Sequence, residues 1–326
     1  MPSARPQPAA VAEPAPSPLA CIQPGGGLFF AIEAGWDRLR RRWLRLARPG
    51  YVRRMLALRQ GDCPGCPHDI IDPRDLKLWR NACGFWFRPE DDRFRWRDRL
   101  PLARAGLTEV VVVSLVALAL LAPLVATRDL RWLALAAVIA FLWFEMLWFF
   151  RDPEREIPDD PAALVSPADG LITHLEEVDS ADFPGGRAFR ISMWLSPLDV
   201  HLNRMPRAGR VVALRYLPGR FVNARREDAA RINEQLWMDL VEPGGRRVRV
   251  IQISGALARR LVCWARLGEE LGAGERYGLI KYGSRCDILL PAAEPRELTV
   301  AIGDKVNAGR SILLRFTKAH GETSGN

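Results

Sequence analysis

A chain of 326 residues, 48% hydrophobic and 26% charged, has the length and apolar content for one or two packed domains and is too apolar to be disordered throughout. Most of its net charge of +9 lies ahead of residue 107, where 19 lysines and arginines stand against 11 acidic residues. Those cations sit among tryptophans and beside apolar spans, a pattern that suits anionic lipid and speaks against nucleic acid.

In chain order, residues 1–27 are rich in Pro and Ala and predict a disordered tail. They have no basic start followed by an apolar core, so they do not read as a secretory signal. Leu19-Ala20-Cys21 resembles the end of a lipoprotein cleavage site but lacks the apolar segment ahead of it. Residues 28–106 form a basic region that opens with a predicted helix over Leu28 to Leu58. Trp36, Leu39, Trp43 and Leu46 recur there at three- and four-residue spacing among Arg38, Arg40, Arg41, Arg42, Arg45 and Arg48. Two readings fit: a helix lying on a membrane surface, or one packed on the rest of this region with a solvated basic face. Next, Cys63 and Cys66 stand two residues apart, and His68 and Cys83 can complete a tetrahedral zinc site. No second close-spaced ligand pair follows, so a redox pair and unliganded thiols stay open as alternatives and no metal is assigned. The six cysteines, in a chain with a cytoplasmic face, give no reason to expect structural disulfides.

Residues 107–150 read as a transmembrane helical hairpin. Val110 to Ala126 carries no formal charge, and after the break at Thr127-Arg128-Asp129-Leu130-Arg131 a second apolar run from Trp132 to Phe150 is interrupted only by Glu145. A pair of buried core helices is the alternative. Arg93, Arg95, Arg97, Arg99 and Arg104 on one flank, with Arg151 and Arg155 on the other, outnumber the loop's cations. That asymmetry puts both ends on the cytoplasmic side of the cell's inner membrane.

From 151 to 326 the period changes to two, as in Phe189-Arg190-Ile191-Ser192-Met193-Trp194 and Val248-Arg249-Val250-Ile251-Gln252-Ile253. One helical stretch is predicted at about Ala224 to Leu236. Three similar turn-and-strand phrases, at 168–172, 208–212 and 307–312, suggest a barrel or sandwich assembled from related hairpins. The whole chain is therefore expected to be α+β: a mostly β domain preceded by the hairpin and the basic helical region.

Within that domain, Gly283-Ser284 joins two apolar, strand-like segments. Glycine leaves its carbonyl carbon open to attack and tolerates a strained turn, so the Ser284 hydroxyl can form an ester with it. Elimination and hydrolysis would then leave a pyruvoyl group, although most Gly-Ser pairs are ordinary turns. Four further phrases accompany this pair: Phe150-Arg151-Asp152-Pro153-Glu154-Arg155; Ser166-Pro167-Ala168-Asp169-Gly170; Ser196-Pro197-Leu198-Asp199-Val200-His201-Leu202-Asn203-Arg204; and Gln252-Ile253-Ser254-Gly255-Ala256-Leu257-Ala258-Arg259-Arg260. Their order and wording closely resemble the phosphatidylserine decarboxylase family in its shorter bacterial and archaeal form, over roughly Phe149 to Arg315 and in the position of the hairpin.

The resemblance implies a proenzyme that cuts itself between Gly283 and Ser284. It implies a β chain ending at Gly283 and an α chain opening with a covalent pyruvoyl cofactor derived from Ser284, the two staying associated. The pyruvoyl carbonyl would form a Schiff base with phosphatidylserine, accept the electron pair as carbon dioxide leaves, and yield phosphatidylethanolamine without PLP or a metal. Asp169 and His201 match family positions near the active site, where a histidine can act as general base for Ser284 with a carboxylate fixing its tautomer. The plainer readings are a turn residue for Asp169 and a structural histidine for His201. The longer bacterial enzymes carry a second histidine, assigned to self-cleavage, where this chain has Arg204. That departure leaves open whether His201 takes the self-cleavage role or donates a proton after decarboxylation. Arg204, Lys281 and Arg285 are candidates to hold the substrate phosphate, or are surface charges. His174 and His320 carry no comparable context. A related ether lipid such as an archaetidylserine, or a soluble amino acid, is the alternative substrate, with the anchor arguing against the latter. A non-catalytic membrane-bound adaptor, which predicts an uncut chain, is the alternative from another class, and homo-oligomerisation is left open.

Overall fold

The computed structural model of the chain describes residues 27–63, 68–79, 83–127, 131–226, 228–256, 260–281 and 284–317. The expected N-terminal disorder falls outside these residues, apart from Gly27, where the first helix begins.

Two helices replace the single one expected over 28–58: α1 (Gly27–Ala47) and α2 (Pro49–Leu58). Pro49 causes the break. Its ring disfavours the helical conformation at Arg48, which adopts φ −139° and ψ 54°, while the proline itself suits the first turn of α2. Helix α1 is turned inside out relative to a core helix. Glu33, Asp37, Arg40 and Leu44 are buried, whereas Ile32, Trp36, Leu39, Trp43 and Leu46 form an exposed stripe. The inward charges are matched: Arg40 pairs with Asp37 at 3.3 Å, with Asp72 at 3.0 Å and with Asp75, and Arg41 reaches Asp75 at 2.9 Å. Asp72 and Asp75 stand just ahead of the one-turn helix α3 (Leu76–Trp79). Helix α1 packs on its own region, as one reading expected, but through its charged face rather than with a solvated basic face, and it leaves its apolar stripe exposed.

The hairpin consists of α4 (Leu107–Thr127) and α5 (Arg131–Phe149), joined across the pair by Trp143 Nε1, which donates to Ser114 Oγ at 2.8 Å. Val111, Leu115, Val116, Leu118, Leu142 and Phe144 are among many apolar side chains exposed on its outer surface. Its base is seated on the β domain, where Val110, Phe149 and Phe150 share a cluster with Ala103, Val200, Leu202 and Leu279.

The strands are β1 (Ala163–Val165), β2 (Gly170–Asp179), β3 (Arg187–Leu195), β4 (Leu202–Arg204), β5 (Gly209–Leu217), β6 (Gln235–Val241) and β7 (Arg247–Ile253), followed by β8 (Arg260–Cys263), β9 (Glu270–Leu271), β10 (Arg276–Lys281), β11 (Ser284–Pro291), β12 (Arg296–Leu298), β13 (Lys305–Val306) and β14 (Ile312–Phe316). Eight of them form one antiparallel sheet in the order β13-β2-β3-β11-β7-β6-β5-β9. Two three-stranded sheets, β1-β14-β12 and β4-β10-β8, accompany it. The large sheet curls into a half-barrel rather than closing, and its two edge strands are only two residues long, which limits the unpaired backbone they offer. Two of the three similar phrases occupy equivalent places, because Gly170 and Gly209 each open a long strand that pairs with a short edge strand. The third leads into β14, in a different sheet.

The helix expected at about Ala224 to Leu236 shrinks to a single turn, α6 (Ala229–Ile232). Asn233 ends it: its side-chain amide bonds the backbone of Val222 in both directions and donates to the Ser254 carbonyl at 2.7 Å, so the chain leaves directly into β6. Local helical pattern loses to a tertiary tie.

Strand β11 is buried at every residue and lies in the middle of the sheet, between β3 and β7. Cys286, Ile288 and Leu290 belong to the main core with Ile191, Met193 and Val250, whereas Leu289 joins Phe183, Ile251 and Ile253 in a second cluster. Ile288 faces Ile191 on one side and Val250 on the other. Ile288→Ala should cost about 2–5 kcal/mol, read as a fall of several degrees in the melting temperature of the detergent-solubilised chain; an unchanged melting temperature would contradict this account of the core.

Candidate active site

Ser284 opens β11 opposite Leu195, the last residue of β3, and its neighbour Arg285 lies opposite Ile253, the last residue of β7. The starting end of β11 thus meets the finishing ends of both neighbours. The segments that follow them, 196–201 and 254–256, belong to the histidine phrase and the Gln252-to-Arg260 phrase, so the antiparallel pairing gathers three separated motifs at one end of the sheet. Ser284 is fully buried, and its Oγ has no hydrogen-bond partner among the described residues. An unpartnered buried hydroxyl is costly and calls for an explanation, of which a role in chemistry is one. Gly283, the other half of the bond, lies outside the described residues, as does Tyr282.

His201 is fully buried against the ring of Phe149, with centroids 4.4 Å apart, at the end of α5. Its carbonyl accepts from Ile280 N at 3.1 Å, which ties it to β10, the strand leading to Gly283. The imidazole Nδ1 lies 2.9 Å from the Asp199 carbonyl oxygen. A carbonyl can only accept, so Nδ1 carries the proton and Nε2 of the neutral ring keeps its lone pair. That Nε2 is buried and has no partner among the described residues. Burial is the main cause that holds the His201 pKa down at about 4, against a smaller upward pull from the Asp199 carbonyl and carboxylate. The ring is therefore an uncharged base across the physiological range.

The group that orients His201 is the Asp199 backbone, not the Asp169 carboxylate. Asp169 accepts from Ala308 N at 2.7 Å and pairs with Arg155 at 2.7 Å; burial raises its pKa, with the Ala308 amide and Arg155 opposing. It is nevertheless a neighbour of the histidine loop, since Arg204 N donates to the Pro167 carbonyl at 2.9 Å and Asp169 and Asp199 both act on Arg151.

The phrase Phe150 to Arg155, read in the sequence only as a family motif and a basic flank of the hairpin, also holds the site together. Arg151 donates to the Leu198 carbonyl at 2.9 Å and lies over Trp148, whose indole nitrogen also reaches Leu198 O at 3.2 Å. Asp152 takes Arg276 at 2.8 Å and Arg204 at 3.3 Å, and Arg155 takes Asp169. The segment leaving the hairpin is thus a strap whose charges fasten the loop after β3, strands β4 and β10, and the turn ahead of β2.

The three phosphate candidates are all engaged within the protein. Arg204 donates to Gly274 O at 3.1 Å and to Pro153 O at 3.2 Å besides its pair with Asp152. It also lies so close to Gly309, where φ is +74°, that an added Cβ would stand 2.9 Å from its side chain. Arg285 is held by Asp287 at 2.7 Å and by Ser192 Oγ at 2.7 Å, and strand alternation puts it on the opposite face from Ser284. Lys281 is paired with Glu109. Binding phosphate with any of them would mean giving up these buried pairs. His174 is half-buried, with Nδ1 2.9 Å from Thr173 Oγ1; His320 lies outside the described residues.

Of the zinc candidates, Cys66 lies outside the described residues, Cys63 and Cys83 share a small apolar cluster with Ile70 and Leu76, and His68 stacks on Trp79 at 4.0 Å. Among the described residues no group of three or more His, Cys, Asp or Glu is placed to hold a metal ion.

A family model described as phosphatidylserine decarboxylase matches residues 144–314, a span that contains the Gly283-Ser284 pair and the phrases at 150–155, 166–170, 196–204 and 252–260. A phosphatidylserine decarboxylase proenzyme from Rhodopirellula baltica is 40% identical over 243 residues, covering 74% of this chain and 99% of the relative. The chain belongs to the phosphatidylserine decarboxylase family. Proenzymes of the same name from Symbiobacterium thermophilum, 46% identical over 63% of this chain and 92% of the relative, and from Desulfotalea psychrophila, 45% identical over 51% and 77%, agree. The resemblance read from the phrases at 150–155, 166–170, 196–204, 252–260 and 283–284 is the one that these comparisons return.

The site makes a pH prediction. In an unfolded chain His201 titrates near its ordinary value, about 6.5, whereas folded it stays neutral down to about 4. Unfolding therefore takes up a proton between these values, and the fold loses stability as pH falls through that window. In a histidine NMR titration one of the four imidazoles, absent in His201→Gln, should show its midpoint near pH 4. A midpoint above 6 would rule out the buried, neutral imidazole.

Proposed function

We propose that this chain is a phosphatidylserine decarboxylase proenzyme that cuts its own Gly283–Ser284 bond and converts phosphatidylserine to phosphatidylethanolamine. The observation that carries the reading is the pair of buried, unpartnered atoms, Ser284 Oγ and His201 Nε2, at the end of the sheet where the family's motifs meet. Neutral His201 takes the hydroxyl proton as Ser284 Oγ attacks the Gly283 carbonyl carbon. The amide C–N bond breaks, its nitrogen picks up that proton, and an ester remains. Loss of the Ser284 α-proton then expels the Gly283 carboxylate and leaves dehydroalanine, which hydrolyses to the pyruvoyl group and ammonia. The vacancy in Ser284's hydrogen bonding fits this conversion, since the fold loses no bond when the hydroxyl is consumed. Once formed, the pyruvoyl group supplies an electrophilic carbonyl for the substrate amine and a sink for the electron pair that carbon dioxide leaves behind. Arg151, Asp152 and Arg155 hold the elements around the site, and burial keeps Ser284 and His201 from bulk solvent, so that water enters for the hydrolysis of dehydroalanine rather than in competition with Ser284 for the Gly283 carbonyl. The relatives' shared name supports an enzyme over an adaptor and phosphatidylserine over other serine lipids.

Attachment to the membrane is part of the proposal. The stretch Arg104–Ala122 is long and apolar enough to cross a bilayer by length and composition, and Leu133–Phe149 is a shorter apolar partner. Helix α1 adds its outward stripe of two tryptophans and three aliphatic residues, flanked by exposed Arg38, Arg42 and Arg45, as an interfacial helix would. With basic flanks on the inside, the catalytic domain faces the cytoplasm at head-group depth.

Intact mass under denaturing conditions should show two chains for the wild type, the smaller with a blocked, carbonyl-bearing N-terminus, and a single chain for Ser284→Ala. His201→Ala should slow the cut by about 10²–10⁴-fold. A wild type that stays whole in native membranes would overturn the reading.

A further inference from the structure

Lys281 is the last described residue before the scissile segment and is 5% exposed. Its ammonium pairs with Glu109, itself buried, in the first turn of α4 and 172 residues earlier in the chain. Beside it on β8 stands its register partner Arg260, whose guanidinium lies 3.4 Å from a carboxylate oxygen of Glu33 on α1. The other oxygen of Glu33 takes Lys77 of α3, and Lys77 also donates at 2.8 Å to Thr108 Oγ1, next to Glu109. Five charges from five elements thus form a chain from the outward-striped helix α1, past the base of the hairpin, to the end of β10. Lys281 also lies over Phe150, 5.7 Å from its centroid, on the hairpin's exit. Glu33, Lys77 and Glu109 precede residue 144, where the family match begins, so this support for the catalytic sheet comes from outside the matched segment.

We propose that Glu33, Glu109, Arg260 and Lys281 are positioning residues for self-cleavage, holding the end of β10 so that the Gly283 carbonyl is presented to Ser284 only when α1 and the hairpin base are seated. The proposal rests on the self-cleavage reading above. Buried ions that lose a partner are left uncompensated, so the cluster is seated as a unit or not at all, and a displacement of the scissile carbonyl by about 1 Å can cost a reaction on the order of 100-fold. Titration gives it a signature. Burial is the largest influence on Lys281 and lowers its pKa to about 8; Glu109 and Glu33 act upward, and Arg260 downward. Below about pH 8 the ammonium is present and the pair is whole, and above it the proton and the pair are lost.

The test follows the cut of newly made full-length chain, synthesised in a cell-free system with phospholipid vesicles, by gel from pH 6 to 10, with protease resistance as the check on folding. Wild type should cut more slowly above about pH 8, and Lys281→Arg, which stays charged, should lose that break. Glu33→Gln should slow the cut on the order of 10- to 100-fold. Because Glu33→Gln leaves a buried cation short of a partner and can fail to fold, the double variant Glu109→Gln/Lys281→Met, which removes both charges, is the deciding one. It should be as protease-resistant as the wild type yet slow to cut, with no break near pH 8. A double variant that cuts at the wild-type rate, or a Lys281→Arg chain that keeps the break, overturns the proposal alone. An uncut wild type removes the self-cleavage reading and this proposal with it.

Discussion

The burial of β11 from its first residue is the constraint on which the rest of the site depends. A central strand covered on both faces holds the side chain at its start away from solvent, and Ser284 Oγ finds no partner among the described residues. The same exclusion acts on His201, whose ring is kept neutral by burial and aimed by a backbone carbonyl. A nucleophile and a base that are both desolvated and both unpartnered have little to lose by reacting with each other's neighbourhood. Had Ser284 been placed one position later, strand alternation would have turned it to the face occupied by Arg285, among Asp287 and Ser192, where hydrogen bonds would have held it.

Around this dry centre the chain uses charge where a core would use apolar contacts. Arg151, Asp152 and Arg155 strap the hairpin's exit to the site loops, and Arg204, once a candidate for substrate, fastens Gly274 and Pro153. Arginine suits such work because its planar fork stays charged and satisfies several acceptors at once. Helix α1 carries the logic furthest by turning its charged face inward and its tryptophans outward. The arrangement makes sense if the outward surface is lipid, since an apolar stripe then needs no protein to cover it.

Much of this was legible before any coordinates. The change of period after residue 150 announced the β domain, the two apolar runs announced α4 and α5, and five ordered phrases announced the family. The misread segments share a cause. Residues 28–58 read as one helix because the apolar spacing carries through Pro49, and the steric effect of a proline on the residue before it outweighs that spacing. Residues 224–236 read as helix because their composition allows it, but the Asn233 amide ties them to Val222 and Ser254 instead. Arg204 and Lys281 read as free cations because their acidic partners are remote in the sequence, whereas Asp287, which holds Arg285, stands only two residues away on the same strand face.

The sequence by itself determined the elements and the motif set: apolar periodicity and short phrases are local properties, and the Gly283-Ser284 pair is written within one of them. Only the tertiary structure decided which charge meets which. Lys281 and Glu109 are separated by 172 residues, and Arg260 and Glu33 by 227, so no spacing rule links them. Their pairing exists because antiparallel register brings β8 beside β10 and because the hairpin base packs on that sheet. Burial then makes each charge depend on the other.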